Sequence, residues 1–152
     1  MWDTPPIIKI YEALGAVTDN RLEIDGNTAK CFSSSGNKFY DVIYEPEQNA
    51  IMTNDNGSYW KGYLGYPAIA YLLQTGVLRY QEELASALRD IKWKDINQEF
   101  KNDFDKTLTF ILEPLDEQTR VNLENYTKSL LTQITELKLG KLGKKMKPPS
   151  GY

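Results

Sequence analysis

The spacing of apolar residues predicts a helix close to the start of the chain. Apolar side chains recur there every three or four positions, at Ile7, Ile10, Tyr11 and Leu14. Pro5 stands where a first-turn proline is harmless, and Gly15 is placed to end the helix. The predicted helix is short and amphipathic, so it needs a surface on which to dock.

Between residues 21 and 53 the apolar period falls to two, which indicates β-strands. Short runs of alternating apolar and polar residues are separated by turns rich in glycine, asparagine and proline. This order is typical of an antiparallel meander, and we expect three or four strands. Their apolar face needs a layer of helix to cover it.

The helical period returns at Tyr66 and continues almost to the end of the chain. Residues 66–76 are apolar nearly throughout, which is typical of a buried helix, and residues 80–91 and 95–112 each carry an apolar face. A final helix at about 117–139 carries a stripe formed by Leu123, Tyr126, Leu130, Ile134 and Leu137. The predicted fold is therefore α+β: an N-terminal helix, a small antiparallel meander, and four helices of which the last two form an antiparallel hairpin.

The charge pattern divides the chain further. Residues 1–137 hold 13 basic and 21 acidic residues, a net charge of −8, whereas the last fifteen residues hold five lysines and no acid. We expect an α+β domain at 1–113, a C-terminal helix at 114–139 that packs with helix 95–112, and a flexible basic tail at 140–152. The tail either serves only as a solubilising end or binds nucleic acid through Lys141, Lys144, Lys145 and Lys147.

Composition excludes several kinds of chemistry. The 152 residues include no histidine and a single cysteine, Cys31. A Ser-His-Asp triad, a Cys-His dyad, and zinc sites made of histidines or of a thiolate cluster within one chain are therefore impossible. We expect no catalytic residues, no metal and no cofactor. A carboxylate-based enzyme is the third functional hypothesis, although no spacing of Asp and Glu matches a specific motif.

The chain carries no pattern that predicts a membrane or secretory segment. No apolar run approaches the roughly 20 residues that a bilayer span needs, and the N-terminal residues lack the pattern of a signal peptide. A lone cysteine points towards a reducing compartment. We therefore expect a cytoplasmic protein without a membrane partner.

The segment MTNDNGSYWKGYLGYPAIAYLL, residues 52–73, is the densest in special residues, and we call its part 54–66 the aromatic loop. An Asn-Asp-Asn-Gly turn leads into four aromatic residues and two glycines before the apolar helix. The rings either pack as core between sheet and helix or form an exposed platform on which bases or an extended peptide stack. The candidate binding residues are Asn54, Asp55, Tyr59, Trp60, Lys61, Tyr63 and Tyr66.

The order strand, turn, strand, loop and proline-led helix resembles the ββα unit of the SWIM zinc finger. That family carries a Cys-x-Cys pair after its second strand and a Cys-x-His pair where its helix opens. Here Ala68 and Ala70 stand at the helix positions, and Thr53 and Asp55 stand in place of the cysteines. The resemblance covers about residues 38–73 and implies a shared skeleton for nucleic-acid or protein interaction, with the metal replaced by packing.

The chain is also similar to small uncharacterised archaeal proteins with YEALGA and NDNGSYWKGYLGYPAIA segments, a likeness that implies no activity. We expect a non-enzymatic, adaptor-like interaction protein. Its partner is another protein, bound through the aromatic loop or through helices 95–139, or a second copy bound through helices 95–139. The alternative is a nucleic-acid-binding protein that uses residues 59–66 and the basic tail, although an acidic body is unusual for a protein that binds duplexes.

Overall fold

The computed structural model describes residues 1–150 and has the predicted α+β architecture, in which an N-terminal helix precedes a five-stranded sheet and further helices follow. The helices are α1 (Ile7–Thr18), α2 (Tyr66–Gln74), α3 (Glu82–Ala85), α4 (Trp93–Glu99), α5 (Phe104–Leu112) and α6 (Glu117–Leu137). The strands are β1 (Leu22–Asp25), β2 (Thr28–Phe32), β3 (Phe39–Glu45), β4 (Ala50–Thr53) and β5 (Gly140–Lys141). Short helical turns lie at Pro46–Gln48, Gly57–Lys61 and Ser86–Leu88.

The sheet runs in the order β1-β2-β3-β4-β5, and its first four strands form the predicted antiparallel meander. Cys31 lies between Leu22 and Tyr40 in the register, so these three residues share one face. All three are buried, whereas the adjacent Lys30 is exposed, as the period of two requires. Helix α2 packs against the sheet and supplies the apolar cover that the meander needs.

Helix α1 is buried along most of its length and packs mainly against α2 and α6. The prediction that Gly15 ends this helix is wrong, because α1 continues through Gly15 to Thr18. A Cβ atom on Gly15 would lie only 2.7 Å from Nε1 of Trp93, the first residue of α4. The glycine is therefore needed for the close approach of the two helices and does not act as a helix end.

Residues 95–112, predicted to form one helix, belong to the separate helices α4 and α5. Between them Lys101 and Asn102 have φ angles of 54° and 62°, which a continuous right-handed helix does not contain. Asp103 then begins α5, and its carboxylate accepts a hydrogen bond from the backbone N of Lys106 at 3.3 Å. The apolar spacing continues across the break, so periodicity alone does not reveal it.

Helix α6 packs against α1 and α3, and its apolar stripe faces the interior of the protein. Leu123, Tyr126, Leu130 and Ile134 are buried, and Leu137 is half-buried. A homodimer through helices 95–139 would have to use other side chains, and such a dimer stays a prediction. Across residues 1–150, no helix combines the length and the apolar character that a membrane span requires.

Part of the segment predicted as a flexible tail lies along the edge of the sheet. Strand β5 pairs in parallel with β4, and the backbone N of Leu142 donates to the carbonyl of Ile51 at 3.1 Å. Further along, Nδ2 of Asn54 donates to the carbonyl of Lys147 at 3.1 Å. Residues 140–147 therefore follow β4 towards the aromatic loop. The division of the chain at residues 113 and 139 stays a prediction.

Candidate functional site

A cleft of about 850 Å³ lies between α1, the turn that joins β2 to β3, the aromatic loop and α4. Six aromatic residues line it: Tyr40, Trp60, Tyr63, Tyr66, Trp93 and Phe104. Its charged residues are Lys9, Glu12, Arg21, Asp55, Lys61 and Lys94. A concave site of this size with aromatic walls and a small set of polar groups is typical of ligand-binding sites in proteins.

Hydrogen bonds to Asp55 shape the base of the aromatic loop. Its carboxylate accepts from the hydroxyl of Ser58 at 2.6 Å and from the backbone N of the same residue at 3.2 Å. The hydroxyl oxygen of Ser58 in turn accepts from the backbone N of Gly65 at 3.0 Å. Asp3, near the N-terminus, pairs with the returning part of the loop at Tyr63. The two ends of the loop are thus joined by buried polar contacts.

The glycines of the aromatic loop are explained by close packing around two side chains. A Cβ atom on Gly57 would collide with the ring of Tyr63, and one on Gly65 would collide with the carboxylate of Asp55. Gly62 has a φ of 77°, in the left-handed region that favours glycine. Gly57 and Gly65 are therefore explained by the packing that places Tyr63 and Asp55 beside the cleft, and Gly62 by its backbone conformation.

Lys9 and Glu12 form a buried ion pair in the wall that α1 contributes. Nζ of Lys9 lies 2.8 Å from Oε2 of Glu12, and Oε1 of Glu12 accepts from Nδ2 of Asn97 at 3.4 Å. Nζ of Lys9 also lies 4.8 Å from the ring centre of Phe104. Because Glu12 and Asn97 are buried, salt screens these contacts only weakly.

The environment shifts the pKa values of two of these charged groups. Burial by itself lowers the pKa of Lys9, but the negative charges of Glu12 and Asp55 outweigh that effect and raise it. Burial raises the pKa of Asp55, while the hydrogen bonds from Ser58 and the charge of Lys9 oppose the change only in part. The cleft therefore keeps Lys9 cationic and makes Asp55 hold its proton more tightly than a solvated aspartate does.

Apart from the ion-paired Glu12, three side chains of the lining contain a buried polar atom without a hydrogen-bond partner among the described residues: Arg21, Trp93 and Asn97. Nη1 of Arg21 donates to the carbonyl of Phe32 at 2.8 Å, and its Nε lies 3.9 Å from the carboxylate of Asp19. Within residues 1–150, no acceptor lies in hydrogen-bonding position for the buried Nη2 of Arg21, and no donor for the buried Oδ1 of Asn97. Buried polar atoms without partners are rare in proteins, and a bound water or ligand is a common explanation for them.

The rim of the cleft combines the exposed ring of Trp60 and the half-buried ring of Tyr59 with lysines of the segment 140–147. Trp60 exposes 70% of its surface, and its ring centre lies 4.7 Å from that of Tyr59 in an edge-to-face arrangement. Nζ of Lys145 lies 5.7 Å from the ring centre of Tyr59, and Nζ of Lys141 lies 5.2 Å from that of Trp2. Basic and aromatic side chains are therefore interleaved beside the cleft.

The structure brings most of the candidate binding residues together. Five of the seven line the cleft: Asp55, Trp60, Lys61, Tyr63 and Tyr66. Tyr59 supports Trp60 from the side. Asn54 is buried and makes structural contacts instead, because its Oδ1 accepts from the backbone N of Asp41 at 2.8 Å and its Nδ2 binds Lys147.

The two interpretations of the aromatic rings apply to different rings. Tyr66 packs edge-to-face on the buried Tyr40, with their ring centres 6.0 Å apart, as the core interpretation expects. Trp60, by contrast, is exposed, as a platform requires. The loop therefore contributes to the core at one end and to the surface at its tip.

Sequence reasoning did not single out Lys9, Glu12, Arg21 or Asn97, which reach the cleft from parts of the chain far from the aromatic loop. One signal was available for the first two, since they are the only charged residues of α1 and stand three positions apart on an otherwise apolar helix. No local pattern marks Arg21 or Asn97, because only the folded chain brings them to the cleft.

The positions compared with the SWIM ligands have other roles in the structure. Thr53 ends β4, Asp55 binds Ser58, and Ala68 and Ala70 are buried in α2. In the described part of the chain, 1–150, no group of three or more His, Cys, Asp or Glu side chains is arranged to hold a metal ion. The likeness to a metal-free SWIM unit stays a prediction.

Fold and site together define an α+β protein with a polar cleft walled by aromatic rings. The chain belongs to the family described as uncharacterised conserved protein UCP014422, whose model matches residues 2–140. Comparison with curated proteins and with solved structures found no match. The matched range includes every residue that lines the cleft and reaches the first residue of β5.

Proposed function

We propose that this protein is a non-enzymatic binding protein whose cleft takes up a small anionic ligand with a planar ring, of the chemical class of nucleotides. The observation that carries the proposal is a cleft that combines aromatic walls, an exposed tryptophan at its rim and more cations than carboxylates in its lining.

The charge of the lining supports an anionic ligand. Four cations and two carboxylates line the cleft, an excess of two positive charges in a chain whose net charge is −3. One of the carboxylates, Glu12, is already paired with Lys9. A cleft that is lined mainly by charges of one sign and has low-dielectric walls concentrates ligands of the opposite sign. We therefore expect the anionic group of the ligand to lie towards Arg21 and Lys61.

The rim supports a planar group. Because most of the indole of Trp60 is exposed, its face is free to stack on a ring of the ligand. The edge-to-face contact with Tyr59 orients the indole and restricts its motion. Stacking of a base on an aromatic side chain contributes about 1–3 kcal/mol, a substantial part of the affinity of a small ligand.

The non-enzymatic role is proposed because the carboxylates beside the cleft make structural contacts and the one thiol is buried. Glu12 is paired with Lys9, and the carboxylate of Asp55 accepts two hydrogen bonds from Ser58. Burial raises the pKa of the Cys31 thiol to about 12, which keeps it protonated and unreactive at neutral pH.

Isothermal titration calorimetry with a nucleoside monophosphate tests this proposal. The matching nucleoside and inorganic phosphate each lack one half of the expected ligand, and we expect both to bind more weakly. Trp60→Ala removes the stacking ring and is expected to weaken binding of the monophosphate about 5- to 160-fold, whereas Trp60→Phe retains a ring and most of the affinity. If the monophosphate binds no more tightly than inorganic phosphate, or if Trp60→Ala binds it unchanged, the proposal is wrong.

A protein partner is the second candidate, and the exposure of Trp60 favours it. Tryptophan is enriched among the few residues that dominate protein interfaces. Such a partner would make the chain the adaptor-like interaction protein that we expect from the sequence. A residue inside the cleft distinguishes the two candidate functions. Asn97→Ala should weaken the binding of a ligand that enters the cleft, but not the binding of a protein that contacts only Trp60. Both variants are therefore compared as bait in affinity purification. If Trp60→Ala alone abolishes retention of a partner protein, the result favours a protein partner.

A further inference from the structure

The basic segment 140–147 reaches the aromatic loop along the edge of the sheet. Strand β5 runs parallel to β4, so both lead towards the point where the aromatic loop begins. Asn54, the first residue after β4, donates its side-chain amide to the carbonyl of Lys147. The fold therefore holds a lysine-rich segment beside the rings that form the rim of the cleft.

The lysines of this segment are placed to meet an anion. Lys141, Lys144, Lys145 and Lys147 are exposed, and no ion pair within residues 1–150 includes any of them. Lys145 lies over the ring of Tyr59, and Lys141 lies over that of Trp2. A Cβ atom on Gly62 of the aromatic loop would lie 3.6 Å from Nζ of Lys141 and 3.6 Å from a carboxylate oxygen of Asp3, so Lys141 has one acidic side chain nearby. Aromatic rings hold these cations in place without neutralising their charge.

We propose that the ligand of this protein is a single-stranded nucleic acid. One nucleotide occupies the cleft with its base stacked on Trp60, and phosphates of the continuing strand lie on Lys141 and Lys145. The inference rests on the proposed function, since it places one nucleotide in the cleft, and it adds a surface outside the cleft. Together, the cleft, the rim and the segment 140–147 form one path for the strand.

The surface fits a single strand better than a duplex. Stacking on Trp60 needs an unpaired base, which a duplex does not offer. A duplex binder gains affinity from many phosphate contacts spread over its surface, but residues 1–137 carry a net charge of −8 and repel such a ligand. Rings and lysines interleaved along one path are the arrangement with which proteins hold single strands.

Fluorescence anisotropy with labelled single strands of about 4 to 16 nucleotides, and with duplexes of the same lengths, tests the inference. We expect the single strands to bind more tightly than the mononucleotide and more tightly than the duplexes. Their affinity should fall with salt, with a logarithmic slope of about −0.7 for each phosphate contact. If single strands bind no more tightly than the mononucleotide, or if duplexes bind equally well, the inference is overturned.

A pair of double variants separates the added surface from the cleft. Lys141→Ala with Lys145→Ala should weaken strand binding and reduce the salt slope by about 1.4, the value for two phosphate contacts, while leaving mononucleotide binding unchanged. Lys106→Ala with Lys128→Ala makes the same change of charge at exposed positions on α5 and α6 and should leave both affinities nearly unchanged.

The possible failures are distinguishable. Equal effects of the two double variants on strand binding would overturn the inference while leaving the cleft as a mononucleotide site. Strand binding that depends on Lys141 and Lys145, with no binding of the mononucleotide, would instead refute the proposed function of the cleft. Calorimetry and anisotropy on the same protein samples report these two results separately.

Discussion

The base and the tip of the aromatic loop are only a few residues apart, yet they are different kinds of structure. At the base, Asp55 and Ser58 expose 4% and 1% of their surface and are bonded to each other and to Gly65. At the tip, Trp60 exposes 70% and Lys61 is exposed. Residue type does not separate these roles, because polar residues are buried at the base while the largest apolar ring lies in solvent. Burial and hydrogen-bonding partners separate them.

The contrast predicts opposite responses to substitution. Changes at the base should lower the free energy of unfolding, because they disturb close packing and buried hydrogen bonds. Changes at the tip should leave the free energy of unfolding nearly unchanged and act on ligand binding. Measurements of stability along the loop therefore test whether base and tip are separate.

Gly65→Ala is expected to have the largest effect on stability. The new methyl group would collide with the buried carboxylate of Asp55, so we expect a loss of about 1–3 kcal/mol in urea unfolding, as is usual for overpacked sites. Gly140→Ala is the matched control, since its added Cβ atom would lie 3.7 Å from the nearest neighbouring atom. Equal stabilities of the two variants would contradict the close packing at the base.

Asp55→Asn is expected to change how stability depends on pH. Burial raises the pKa of Asp55 in the folded state above its unfolded value of about 4, so folding favours the protonated form. As the pH rises from about 4 through the folded pKa, the wild type should therefore lose stability relative to Asp55→Asn. The loss amounts to about 1.4 kcal/mol for each unit by which the folded pKa is raised.

Urea unfolding of both proteins at a series of pH values between about 4 and 7 measures this difference, since the interval begins near the unfolded pKa of aspartate. Other titrating groups are common to the two proteins and cancel in the comparison. A difference in the free energy of unfolding that stays constant over the series would show that the carboxyl group of Asp55 titrates in the folded state as it does in water.

Lys145→Ala is expected to have a smaller effect. It removes the cation that lies over the ring of Tyr59, and such contacts at exposed sites contribute about 0.5–1 kcal/mol. Lys144→Ala removes the neighbouring exposed charge and serves as the control. Thermal unfolding of both variants at low salt measures the difference. A melting temperature of Lys145→Ala that matches the control would indicate that the contact contributes nothing to folding.

Trp60→Ala is expected to have the smallest effect on stability, within about 0.5 kcal/mol, because substitutions at exposed positions rarely change it more. The same variant should show the large loss of nucleotide affinity given above. Thermal unfolding and calorimetry of one preparation test both statements together. A loss of stability as large as that of Gly65→Ala would show that the tip is part of the core after all.

Particular residues show how far local patterns predicted the fold. Alternation along β2 is consistent with the burial of Cys31 and the exposure of Lys30, and the nearly continuous apolar run of α2 matches its burial. The break between α4 and α5 was missed, because it depends on the left-handed conformations of Lys101 and Asn102 and not on apolar spacing. Local pattern therefore predicts which face is buried better than where a helix is interrupted.

The candidate site was predictable in the one segment where unusual residues are concentrated. The turn chemistry and rings of the aromatic loop drew attention to Asp55, Trp60 and Tyr63, all of which line the cleft. The opposite wall was not predictable, because Arg21 and Asn97 are ordinary residues in their local sequence. They belong to the cleft only through contacts between distant parts of the chain.

By itself, the sequence determined the succession of a first helix, an antiparallel meander and a helical region, the apolar faces that had to be buried, and the absence of histidine chemistry. These properties follow from residue type and from spacing along the chain, which need no knowledge of distant neighbours. Tertiary structure alone decided that the stripe of α6 is internal, that the tip of the aromatic loop is exposed, and that Lys9, Arg21 and Asn97 share one cleft. Burial and hydrogen-bond partners depend on which surfaces meet in three dimensions, and the same local pattern is compatible with several such arrangements.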